Sequence, residues 1–403
     1  MRDPVSVQVA GPLASFVAGF RVRLELLGYA SQSRVGHLRL MADLSGWLGE
    51  RGLDGSALSL QVVDGFVLDR RAVGHQDARS ARSLRPLLEY LREVGAAPLP
   101  GQQRVVGPVE AMLADYASYL GHERGLAVLT IQRSTDLVRP FLAARVVNGL
   151  LGLESLTAAD VTAFILARTQ SASPATVQRT GTALRSLLRF LHLRGVIGSS
   201  LVGAVPTAAN WKLVGLPKYL TAEQIGVLLA SCDLATAVGR RDLAILTLLA
   251  RLGLRAGEVA ALRLGDIDWR CGEITVRGKG NRHERLPLPT DVGEALVAYL
   301  SGARPVTAVG REVFLGMRAP HHALTRGAVT QLVARASRRC GLGTIYAHRL
   351  RHTAATTMLH AGASLEEIGQ VLRHRHAVTT AGYAKVDHER LRALARPWPG
   401  ETA

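Results

Sequence analysis

Two stretches of this chain, a hundred residues apart, spell nearly the same helix: Ser83-Leu-Arg-Pro-Leu-Leu-Glu-Tyr-Leu-Arg-Glu-Val-Gly95 and Ala183-Leu-Arg-Ser-Leu-Leu-Arg-Phe-Leu-His-Leu-Arg-Gly195. Leu84 matches Leu184, Arg85 matches Arg185, and Gly95 matches Gly195. Further back, Phe66-Val-Leu-Asp-Arg70 resembles Phe164-Ile-Leu-Ala-Arg168. Apolar residues recur at helical spacing elsewhere in the first stretch, as Phe20, Leu24 and Leu27 and as Leu38, Met41, Leu44 and Leu48. The pattern predicts one small helical domain written twice, over 1–98 and 108–205, the first copy degenerate. Pro98, Pro100 and Gly101 mark the linker between the copies.

At 403 residues the chain has room for two or three domains with cores of their own. Hydrophobic residues make up 48% and charged residues 20%, a globular composition. A formal net charge of +17 points to a polyanionic partner. No apolar run reaches the roughly 18 residues of a membrane span. Gln8, Gly11 and Pro12 interrupt the weakly apolar Val5 to Phe20, so no signal peptide is expected and the cytoplasm is the expected compartment. Cys232, Cys271 and Cys340 are too widely spaced for a disulfide framework or a zinc pattern, and are expected to be buried. Of the 49 basic residues only Lys212, Lys218, Lys279 and Lys385 are lysines. A lysine kept among so many arginines is a candidate for a task arginine cannot perform, such as giving up a proton.

Pro206 to Pro217 forms a second linker, and a third region, 217–396, follows it. Thr221-Ala-Glu-Gln224 and Ser364-Leu-Glu-Glu367 are capping boxes, each opening a helix. A helix is expected from Arg240 to Leu252 with Gly253 as its stop. Another helical segment is expected to end near Leu264 and Gly265. The alternation in Glu273–Arg277 and Glu284–Leu288, around Gly278-Lys-Gly-Asn281, predicts a hairpin. Helices are expected again over Asp291 to Leu300 and Thr325 to Cys340. The fold class is therefore mainly α with a small antiparallel sheet.

The segment Tyr346 to Lys385 carries the chemistry. It contains His348-Arg-Leu-Arg-His352, then His374, and nine residues later Tyr383. His348 and His352 have the i, i+4 spacing of a zinc helix, but arginines lie between them and the glutamate base is missing. The hairpin lysine lacks the spacing of a nucleotide phosphate loop, so neither metal nor cofactor is expected. Arginine forks bind phosphate oxygens in pairs and stay charged. Arg255 follows the helix-stopping Gly253, and Arg351 shares a helix side with His348. Around a phosphodiester such groups would stabilise the charge of a pentavalent transition state. Tyr383 would be the nucleophile and Lys279, on the hairpin tip, the general acid.

Arg255 in Leu-Arg-x-x-Glu, Lys279 in Gly-Lys-Gly-Asn, His348 and Arg351 in His-x-Leu-Arg-His, His374 and Tyr383 stand in the order of a known set. Over residues 108 to 390 the chain resembles the tyrosine recombinase, or phage integrase, family. The resemblance implies a helical core-binding domain and a catalytic domain clamping double-stranded DNA. It also implies a 3′-phosphotyrosine intermediate, no cofactor, and a homotetramer working on two DNA sites. Arg282, Arg373, Arg185 and Arg34 are the candidate DNA contacts. Arg373 stands where the family usually has glycine, and 1–98 has no place in the minimal two-domain plan. That extra domain could bind DNA or another recombinase subunit, and favours a mobile-element enzyme. Lys385 to Leu394 is a candidate helix for packing on a neighbouring protomer. A type IB topoisomerase and a non-catalytic DNA-binding protein are the alternative functions.

Overall fold

The computed structural model describes residues 7–74, 81–99, 107–206, 219–278, 283–308 and 310–373. Contacts divide the chain into two compact units, residues 99–212 and residues 1–98 with 213–403. Among the described residues the cores are four: one within 13–97, one within 113–205, a large one within 220–350 and a small one within 355–372.

The first block carries helices α1 (Val17–Leu26), α2 (Ser31–Glu50), α3 (Leu60–Ala72) and α4 (Arg85–Glu93). The second carries α5 (Pro108–His122), α6 (Val128–Ala143), α7 (Ala158–Ser171) and α8 (Pro174–Leu193). Their interiors correspond position by position. Leu84, Leu87, Leu88 and Leu91 are buried, and so are Leu184, Leu187, Leu188 and Leu191. Val63 and Val67 on α3 match Val161 and Ile165 on α7, all buried. Each buried aliphatic side chain contributes about 2 kcal/mol, so the four repeated leucines are a substantial share of each core. Ser59 caps α3 and Thr157 caps α7, each through its hydroxyl. An edge-on aromatic pair joins the second helix to the third in both blocks, Trp47 with Phe66 and Phe141 with Phe164. Gly95 and Gly195, at φ 72° and 69°, stop α4 and α8 in the left-handed region.

The second block also holds a hairpin that the alternation did not announce, β1 (Val146–Val147) and β2 (Leu150–Leu151). Its turn residues Asn148 and Gly149 have φ 51° and 78°, as a two-residue primed turn requires.

The third region begins with α9 (Ala222–Ala230), opened by the Thr221/Gln224 capping box. α10 (Ala237–Arg251) starts three residues before the expected Arg240, because the Thr236 hydroxyl caps it. α11 (Ala256–Ala260) is a single short turn. β3 (Ile267–Asp268), which the sequence reading did not foresee, pairs with β4 (Glu273–Arg277), and β4 pairs with β5 (His283–Pro287). Ile274 and Val276 on β4 face the core and are fully buried. α12 (Thr290–Gly302), α13 (Arg326–Arg339), α14 (Ala347–His360) and α15 (Leu365–Val371) follow, the last opened by the Ser364/Glu367 capping box. α10 is buried along most of its length and packs chiefly on α12, α14 and α9.

Cys232 is buried and Cys340 partly so, but Cys271 is exposed, against expectation. It sits between β3 and β4, where its N–H and that of Arg270 donate to the Asp268 carboxylate, a turn that faces solvent. No helix among the described residues is long and apolar enough to cross a membrane.

Candidate active site

Gly253 ends α10 at φ 58°, and a Cβ there would fall 2.6 Å from Leu372 Cδ2. Only glycine lets the chain turn so close to the end of α15. Two residues on, Arg255 sits in extended backbone as the cap of α11, and Glu258 reaches back to it. The Arg255 N–H donates to Glu258 Oε2 at 2.8 Å, and Arg255 Nη1 donates to Glu258 Oε1 at 2.6 Å. Arg255 Nη2 donates to the Arg373 carbonyl at 3.2 Å. The Arg255 side chain is 45% exposed while that of Glu258 is only 6% exposed, so the carboxylate is an internal brace and the guanidinium faces outward.

Arg351, on α14, is buried. Its Nη1 donates to the Gly253 carbonyl at 2.6 Å and its Nη2 to the Leu372 carbonyl. Both arginines thus hang on consecutive carbonyls at the end of α15, which draws α10, α11 and α14 onto one short stretch of chain.

Arg373 completes the cluster from an unexpected side. Its φ is 57°, in the left-handed region, and its side chain is 3% exposed. Its Nη2 donates to Glu258 Oε2 at 2.8 Å. Burial alone would raise the Glu258 carboxyl, but the Arg373 charge and the hydrogen bonds from Arg255 hold it below the usual carboxylate range.

His348 lies one turn before Arg351, with its ring exposed and its Nε2 2.7 Å from His352 Nε2. One of those nitrogens donates and the other accepts, so the pair fixes each ring's tautomer. Partial desolvation, then the charges of Arg351, Arg255 and Arg326, lower the pKa of His348. Desolvation, then His348 and Arg351, pushes His352 down to about 4. Both shifts favour the neutral imidazoles, in a cluster that also holds the guanidiniums of Arg255, Arg351 and Arg373 and the Glu258 carboxylate. The cluster can bind a phosphodiester by charge and present a neutral imidazole as donor or acceptor. Lys279, Arg282, His374 and Tyr383 lie outside the described residues.

The model of the phage integrase family matches residues 218–390, and that of the phage integrase N-terminal SAM-like domain matches 113–195. A putative integrase/recombinase of Sinorhizobium fredii, y4rA, is 40% identical over 97% of this chain and 96% of its own length. The chain belongs to the phage integrase family of tyrosine recombinases. Tyrosine recombinase XerC of Bacillus pumilus is 31% identical over 69% of this recombinase and 92% of its own length. In fold, it is similar to the XerH site-specific recombinase, solved bound to a palindromic difH substrate, with a TM-score of 0.55 at 16% identity over 99% of this chain and 100% of that one. A lambda integrase tetramer bound to a Holliday junction gives a TM-score of 0.54 at 17% identity, over 77% of this chain and 87% of that one.

Three of the arginines read as DNA contacts have partners within this recombinase. Arg373 is buried on Glu258. Arg185 donates to the carbonyls of Val205 and Pro206 at 2.9 and 3.2 Å. Arg34 pairs with Glu25 at 3.0 Å and with the Ser31 hydroxyl. A cleft of about 800 Å³ in the second block, walled by α6 and α8, is lined by Arg185 and by Arg124, Arg133, Arg179 and Arg189, the last four exposed; of these the sequence reading named Arg185 alone. The signal was present, since Arg179, Thr182, Ser186 and Arg189 follow one another around the polar face of α8.

Proposed function

We propose that this tyrosine recombinase cuts and rejoins duplex DNA at specific sites through a 3′-phosphotyrosine on Tyr383. Arg255 and Arg351 hold the scissile phosphate, His348 and His374 hydrogen-bond to it, and Lys279 protonates the leaving 5′-oxygen. Attack by a 5′-hydroxyl then reseals the strand, so the bond energy is conserved and no nucleotide or metal is consumed. The observation that carries this reading is the anchoring of both arginines on the carbonyls of Leu372 and Arg373. The two guanidiniums thus meet on the stretch of chain that precedes His374 and Tyr383 in sequence. The exposed arginines of the cleft between α6 and α8 would hold flanking phosphates. Four protomers on two sites and service to a mobile element belong to the same proposal. The likeness to a putative integrase/recombinase over nearly the whole chain supports the mobile-element reading, and the four protomers follow the lambda integrase tetramer to which the fold is similar.

The test is covalent trapping on nicked suicide duplexes drawn from the gene's own flanks, in EDTA and without nucleotide. Wild type is expected to give a shifted band on a denaturing gel that Tyr383→Phe lacks. Binding without any covalent species would leave only a DNA-binding role.

A further inference from the structure

We infer that Arg373 is a positioning residue for strand cleavage: its buried guanidinium takes a share of the Glu258 carboxylate and leaves the charge of Arg255 available to the scissile phosphate. The inference rests on the proposed function and specifies one side chain within it.

Three observations carry it. Arg373 occupies left-handed backbone at φ 57°, where a residue with a Cβ is disfavoured and glycine would sit without cost. Its long cationic side chain is 3% exposed, a second unfavourable feature unless it is paired. The pair it makes is with Glu258, whose two oxygens are already engaged by the backbone and side chain of Arg255.

The consequence is electrostatic. An Arg255–Glu258 pair alone is neutral, and the carboxylate would cancel much of the field that Arg255 directs outward. With Arg373 added, two guanidiniums share one carboxylate and the trio keeps one net positive charge in a poorly solvated setting, where charge acts over longer range. The Arg373 carbonyl also accepts from Arg255 Nη2, so the same residue fixes where the fork lies. The Arg373 guanidinium is held on Glu258, and its effect on the phosphate passes through Arg255.

The experiment uses the full chain on the trapping duplex, at saturating DNA and under single-turnover conditions. Covalent-complex formation, DNA affinity and thermal midpoint are measured for wild type, Arg373→Gln, Arg373→Gly, Arg373→Lys and the double variant Glu258→Gln/Arg373→Gln. Arg373→Gln is expected to slow cleavage about tenfold or more while affinity changes less than about twofold, because the missing interaction matters in the transition state. Arg373→Gly relieves the backbone yet removes the charge, and is expected to be as slow. Arg373→Lys keeps the charge and should lose less. In the double variant the uncompensated carboxylate is gone, and much of the lost rate should return. Wild-type cleavage rates in Arg373→Gln or Arg373→Gly would overturn the inference. So would a rate loss matched by an equal loss of DNA affinity, which would make Arg373 a DNA contact, or one that follows the thermal midpoint across the series. Absence of covalent product from wild type itself would overturn the proposed function, and this inference with it.

Discussion

Glu258 accepts from three groups at once, the Arg255 backbone and the guanidiniums of Arg255 and Arg373. Glu258→Ala leaves the buried Arg373 charge unpaired, and loss of one partner of a buried pair costs about 3–5 kcal/mol. Urea unfolding should show that loss, and a change below about 1 kcal/mol would mean the buried charge finds another partner. His352 makes a second prediction. Its folded pKa of about 4 lies below the ordinary 6.5, so between those values the unfolded chain binds more protons. Its contribution is therefore fully present above pH 6.5 and is lost as pH falls toward 4. His352→Asn should flatten the fall of the thermal midpoint across that window, whereas an unchanged slope would contradict the desolvated environment. At this scale the motifs named Arg255, His348 and Arg351 as members of one cluster, and the fold brings the three side chains together at the ends of α10 and α15. Nothing in the sequence hinted that Arg373 is buried on Glu258, because an arginine letter records charge and says nothing of burial or of a carboxylate folded against it.

Elements were legible when their signals were local. The capping boxes at Thr221 and Ser364 and the hairpin of β4 and β5 are where side-chain chemistry puts them. The Asn148-Gly149 turn carried an equally local signal that was overlooked between two-residue strands. β3 was not readable, since two residues give no alternation and their pairing with β4 is a tertiary event. Gly253 is the junction of elements that matters most, with α10, α14 and the end of α15 meeting around it. Gly253→Ala adds a methyl against Leu372 and forces left-handed backbone, which together should cost about 2–4 kcal/mol. Because Gly253 also supplies a carbonyl to Arg351, cleavage should fall with stability; a Gly253→Ala variant of wild-type stability would show that α15 can shift away.

Across the whole molecule, we read the first block as a degenerate copy of the second, on the strength of their matching interiors. Their surfaces differ. Aligned through the matched aromatic pairs, Arg133 on α6 corresponds to Arg39 on α2, and through the repeated leucines Arg189 on α8 corresponds to Glu89 on α4. Glu89 is moreover paired with Arg85 at 2.7 Å. Arg23, Arg51 and Arg70 are likewise paired with Glu93, Asp69 and Asp43. The second block keeps exposed arginines in a cleft between α6 and α8, while in the first block Glu89 and several arginines lie in ion pairs. Arg133→Gln with Arg189→Gln should weaken DNA binding and lower the salt slope by about one unit for each phosphate no longer neutralised. Arg85→Gln should leave both unchanged, and equal effects at the two sites would show that both copies grip DNA by the same face. Core repetition could be read from the letters because leucine spacing survives divergence. The fate of the surface could not, since it depends on which charges meet across helices.

The anchors of Arg255 and Arg351 at the end of α15 are main-chain oxygens. No side-chain replacement at residue 372 or 373 deletes a carbonyl, so the anchors of Arg255 and Arg351 do not depend on the letter written there. Position 373 can therefore gain or lose its charge, and the rate that goes with it, without removing those anchors. A glycine codon becomes an arginine codon by one base change, and the cation it adds lands on a carboxylate already in place.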